Sequence, residues 1–156
     1  LFTARRLVIL AAEDIGLAQP EALALAVAAQ QAVHFLGMPE ARIPLAEATV
    51  YLATAPKSNS AYMALEQALD DVRKLAGEPV PLHLRNAVTG LMRNMGYGKD
   101  YQYAHDHPGH FVEQDFLPPS LKDRRYYQPT EEGTEKEISK RMKEWWGDGD
   151  KQDSGV

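Results

Sequence analysis

The sequence predicts an all-α fold, and three observations carry that reading. From residue 1 to residue 77, apolar side chains recur at helical spacing; Gly16, Gly37, Pro56 and Gly77 fall where the helices should end; and no stretch alternates apolar with polar residues as a half-buried strand would. The 156 residues are 44% hydrophobic and 25% charged, which fits one soluble domain able to bury its own core. We therefore expect one helical domain over 1–147 and a flexible polar tail over 148–156.

The elements follow in order. Residues 3–14 place Leu7, Leu10 and Ala11 on one face, and Gly16 stops that helix. Pro20 suits the first turn of a second helix, PEALALAVAAQQAVHFLG, whose apolar residues run almost all the way round; such a helix is expected to be buried on several sides, His34 with it. Pro44 opens a third helix with Leu45, Ala48, Leu52 and Ala55 at helical spacing. Ser58, Asn59 or Ser60 can cap a fourth, AYMALEQALDDVRKLAG, predicted to pack through Leu65, Leu69, Val72 and Ala76. After a proline-framed connector, TGLMRNMGYG allows only a short helix. Residues 97–129 have no period but carry Tyr, Phe and Leu enough to be an ordered irregular segment. A charged last helix, EEGTEKEISKRMKEWW, has one thin apolar stripe: Ile138, Met142 and Trp145.

Absent motifs narrow the function. There is no GxxxxGK[ST] phosphate loop, no GxGxxG after a strand, and no serine in a GxSxG setting, and the chain has no cysteine for a thiolate nucleophile or zinc ligand. This chain is therefore not expected to be an enzyme by itself, nor to hold a cofactor. His105, Asp106, His107 and His110 have metal-ligand chemistry, yet a local cluster lacks the distant ligand that usually closes a site, and no metal is expected. The formal charge is −5, with +1 over residues 83–112 and −3 on each side. Arg85, Tyr97, Lys99, Tyr101 and Tyr103 interleave cations with rings in that stretch, a pattern that can stack the bases of a single strand. A docking surface for DNA or a partner protein is accordingly expected, if anywhere, within 83–127.

The second and third predicted helices carry more apolar perimeter than one small bundle buries. Val27, Val33, Leu45 and Leu52 are the candidates for contacts between subunits. The N-terminus shows neither a signal peptide nor an apolar run long enough to span a membrane, so a cytoplasmic protein is expected. Leu1 is not a methionine and helical pattern is already under way at Ala4, which suggests a piece of a longer protein.

Several strings are more specific than any of these patterns. AEDIGLAQP (12–20), GMPEARIPLAEATVYLATAPKSNSAY (37–62), PVPLHLRNA (79–87), MGYGKDYQYAHD (95–106), QDFLPPSLKDRRYYQPT (114–130) and the following Gly133, Glu135, Glu137 and Ile138 resemble the C-terminal region of the replication-associated recombination ATPases. This is the bacterial RarA or MgsA group, with the Werner-helicase-interacting ATPase among its eukaryotic relatives. The resemblance implies a helical domain like the C-terminal collar of clamp-loader subunits, following an AAA+ domain that binds ATP and Mg. It further implies a homotetramer that acts in replication, recombination and repair at stalled forks, with DNA and single-stranded DNA-binding protein as partners, and a nucleoid association. His107 and His110 depart from the family pattern, and Lys57, Asn59, Arg85, Tyr97, Lys99, Tyr103, His105 and Asp106 inherit no catalytic role from it.

Overall fold

The computed structural model describes residues 1–75 and 77–147, and among them every regular element is helical. The α-helices are α1 (Phe2–Leu10), α2 (Glu21–Leu36), α3 (Arg42–Thr54), α4 (Ser60–Lys74), α5 (Gly90–Asn94) and α6 (Glu135–Trp146). The predicted position of Ala76 and the predicted tail 148–156 lie outside the described residues. Contacts among the described residues gather into two units, one of residues 1–70 and 126–142, the other of residues 71–125 and 143–147.

The core of the first unit is built by α1, α2 and α3. Helix α1 passes into a π turn over Ala11–Ile15, and Gly16 breaks it at φ 52°. Leu7, Ala11, Ile15, Ala22, Ala26, Ala29, Ala48, Leu52 and Ala55 form one buried cluster, in which Ile15 and Leu52 are fully enclosed. Alanine rows let the helices approach closely but bury little apolar area per residue, so this core is tight rather than large. Lys57 finishes α3 by donating its ammonium to the carbonyls of Leu52 (2.9 Å) and Ala55, two orphan acceptors at the helix end.

Two helices differ from expectation. Only Ala22, Ala26 and Ala29 of α2 are buried, one row at i, i+4 and i+7, and His34 is exposed. The all-round apolar pattern of α2 thus meets a core on one side only. In α4 the predicted packing stripe points to solvent: Leu65 is 55% exposed and Val72 65%, whereas Asp71 is buried. Polar anchors set the rotation of α4. Ser60 at its start bonds Glu135, and Asp71 receives the guanidinium of Arg124 at 3.0 and 3.2 Å, a forked, charge-assisted pair.

The second unit is mostly irregular, as the texture of 97–129 suggests, with 3-10 turns at Leu82–Leu84, Ala104–Asp106, Pro108–His110 and Pro119–Leu121. Thr89 caps the short α5 by accepting the N–H of Met92. The Gly98 N–H donates to the carbonyl of Leu82 at 2.9 Å, and His83 Nε2 donates to that of Asp115 at 2.8 Å. Phe111 stacks on Trp145 with ring centres 5.1 Å apart, and Trp146 meets both rings edge-on. No helix among the described residues is long and apolar enough to cross a membrane.

Candidate interaction surfaces

In the first unit the apolar surplus lies along α2 and the turn after it. Apart from Glu21, this sixteen-residue helix carries no Asp, Glu, Lys or Arg. Its outer side exposes Leu23, Val27 and Phe35; Leu36, at the end of the Ala22–Ala26–Ala29 row, is exposed as well, and the chain continues with exposed Met38 and Ile43. Phe35 is 88% exposed, so almost its whole ring lies in water. A neutral helix with large apolar side chains outward has the composition of an interface core, where charge is depleted and apolar anchors collect. Of the sequence candidates, Val27 is on this surface and Val33 is half-buried. Leu45 is half-buried against the core cluster. Leu52 has no exposed surface and belongs to the core, because α3 turns it inward with Ala48; it is not available to a neighbour. Phe35, Met38 and Ile43, the most exposed members of the patch, were not singled out by periodicity, since all three sit at or beyond helix ends where a 3.6-residue pattern lapses.

The second unit divides its candidates. Arg85 is used locally: its Nε donates to the carbonyl of Val80 at 2.6 Å, its Nη1 to the Tyr97 hydroxyl at 3.2 Å, and its guanidinium lies 5.2 Å from the Tyr97 ring centre. Both residues thereby fix the turn after α5. Lys99, Tyr101 and Tyr103 remain exposed. Lys99 lines an open groove together with Asp100, Leu82, His83 and Asp115, and Asp115 is paired with Lys122 at 3.0 Å. The rings of Tyr103 and His105 lie 5.1 Å apart and those of His105 and His110 4.9 Å apart. Among the described residues no three His, Asp or Glu side chains gather as an ion would require.

A third feature escaped the residue patterns altogether. Glu135, at the start of α6, has no exposed surface. Its carboxylate accepts from the hydroxyls of Ser58 (2.7 Å), Ser60, Tyr127 (2.9 Å) and Thr130 (2.7 Å), and from the Thr130 backbone N–H (2.7 Å). Burial by itself pushes this carboxyl up, but the hydrogen bonds from Ser60, Thr130 and Ser58 outweigh it and hold it at about 2. Tyr127 moves the other way, to about 12, through burial first and then through its bond to the Glu135 charge. Two glycines bring the participating loops together. A Cβ on Gly16 would stand 2.6 Å from the Ser58 carbonyl oxygen, and one on Gly133 only 2.0 Å from that of Ala18. The Ser58 N–H donates to Asp14 and the Thr134 N–H to Ala18, each at 2.8 Å. This constellation turns five donors onto one ionised carboxylate and so ties the 56–60 loop to the start of α6.

The described residues thus present a helical domain with an exposed apolar helix side in one unit and a loop-rich surface in the other, the class of a C-terminal AAA+ helical domain. The chain belongs to the MgsA AAA+ ATPase C-terminal family, matched over residues 1–146. It is 48% identical over 141 residues to an AAA domain-containing protein of Mycobacterium tuberculosis, covering 90% of this chain and 31% of that protein. It is 43% identical over 143 residues to replication-associated recombination protein A of Escherichia coli K12, covering 91% and 32%, and 45% identical over 130 residues to the Bacillus subtilis protein of that name, covering 83% and 31%. The chain therefore spans about a third of the length of these relatives.

Proposed function

We propose that this domain holds the subunits of its AAA+ ATPase together, as a homotetramer. The observation that supports this most is the uncharged outer side of α2 with the exposed Phe35, Met38 and Ile43 beyond it. Stable interfaces bury roughly 800 Å² per partner, and obligate ones more, with an apolar centre. A carboxylate placed at that centre would be stripped of water without a counter-ion. Val27→Glu and Phe35→Glu are expected to sediment as single chains with unchanged helical content, because neither side chain supports the core of its own subunit. Both variants keeping the assembled mass would remove α2 from the interface.

In this reading ATP and Mg are bound upstream of this domain. The partners of the whole protein, DNA and single-stranded DNA-binding protein among them, are those of a replication-associated recombination ATPase working in the cytoplasm at the nucleoid. A second reading uses residues 83–127 to dock DNA or a partner protein, and the exposed Tyr101 and Tyr103 beside Lys99 favour it. Binding of a single-stranded oligonucleotide would then weaken steeply with salt and fall several-fold in Lys99→Ala. Absent binding, or binding indifferent to salt and to that substitution, would exclude nucleic acid as the ligand of this surface.

A further inference from the structure

The attachment of the chain's C-terminal part within the first unit is unlike the packing of its other helices. The buried apolar cluster runs from Leu7 to Ala55 and contains nothing from α6, nor do the half-buried side chains packed on that cluster include Ile138 or Met142. The buried residues of α6 are polar, Glu135 and Ser139. Residues 127–142 are tied down by the Glu135 carboxylate on Ser58 and Ser60, by the Thr134–Ala18 backbone bond and by the close seat of Gly133 on Ala18 and Pro56, while Ile138 and Met142 are only half-buried. Hydrogen bonds exchange for water when such a seat opens, whereas parting α1 from α2 and α3 would bring the apolar core into water.

We propose that residues 127–142 form a detachable strap, latched by Glu135, that opens as one piece while α1, α2 and α3 stay folded. The latch joins residues 75 and 77 positions apart, so this one carboxylate ties the strap to the 56–60 loop across half the chain. Regions of this kind, with few buried apolar contacts, open at lower free energy than the core they cover. Opening uncovers the Ala18 carbonyl and the Ser58 and Ser60 hydroxyls and leaves the alanine core closed.

Native-state amide hydrogen exchange on the 156-residue chain, read by peptide mass, tests this. In the unsubstituted protein, amides of 134–142 are expected to exchange through an opening that leaves the amides of α2 and α3 protected. In Glu135→Gln the strap amides should exchange at least tenfold faster, with α2 and α3 unchanged. One exchange event shared by strap and core in the unsubstituted protein overturns the proposal whatever the variant does. Strap amides in the variant that exchange no faster than before, or core amides accelerated by the same factor, overturn it as well.

Discussion

Glu135→Ala is expected to destabilise the domain by up to about 3 kcal/mol at pH 7. The figure follows from the displacement of the carboxyl, from an ordinary 4.5 to about 2, at roughly 1.4 kcal/mol for each tenfold change. Because the folded value is lowered, the stabilisation is complete above the unfolded value near 4.5 and disappears as the pH falls through about 2. The unsubstituted chain should therefore lose stability across that acid window, and Glu135→Gln should show a flatter limb there. The strap's own docking energy caps the loss: once residues 127–142 have let go, removing more latch bonds costs nothing further. Urea denaturation at a series of pH values measures both. Equal acid limbs in the two proteins would mean that the carboxylate is not held as the geometry indicates.

Gly133→Ala is expected to be about as damaging by a different route. Gly133 has φ 51°, and an added Cβ would meet the Ala18 carbonyl oxygen at 2.0 Å, its carbon at 2.8 Å and the Pro56 ring at 3.0 Å. The nearest of these atoms are Ala18 backbone, which cannot swing aside, so relief means lifting the strap from its seat and losing the Thr134–Ala18 bond. Gly37 supplies the control. It also has positive φ, 68°, with ψ −178°, but nothing stands within 4 Å of the position its Cβ would take, so Gly37→Ala should cost only the backbone penalty of that glycine-favoured region, about 1–3 kcal/mol, with no steric clash added. Thermal midpoints should fall several degrees further for Gly133→Ala than for Gly37→Ala. Since Gly133 and Glu135 secure one strap, the double variant should be little worse than the worse single one. Equal midpoints for the two glycine variants would show that the close approach carries no energy.

The helices were legible where glycine and proline punctuate them: α1, α2 and α3 lie close to their expected places, and α5 is as short as its flanking glycines require. Orientation was less legible. A helix that is apolar all round, such as α2, does not reveal which side its neighbours leave open, and the stripe Leu65, Leu69, Val72 of α4 lost to two polar anchors at the helix ends. Periodicity also cannot mark a buried carboxylate whose donors come from Ser58 and Ser60 on a distant loop. Glu135 and Gly133 were visible only as members of a string shared with the recombination ATPases. The geometry gives those shared residues a physical meaning, because Gly16, Lys57, Ser58, Gly133 and Glu135 shape and join loops of one unit. Among the docking candidates, Arg85 and Tyr97 read as a cation beside a ring, which they are, but each is the other's partner.

Whether the outer side of α2 meets other copies of the chain can be read from the mass of the isolated domain. Light scattering gives the absolute mass of the 156-residue domain across a concentration series. A mass near four chains that holds on dilution, and that falls to one chain in Val27→Glu, is the expected result. A single-chain mass at every concentration would contradict the assignment of assembly to this domain.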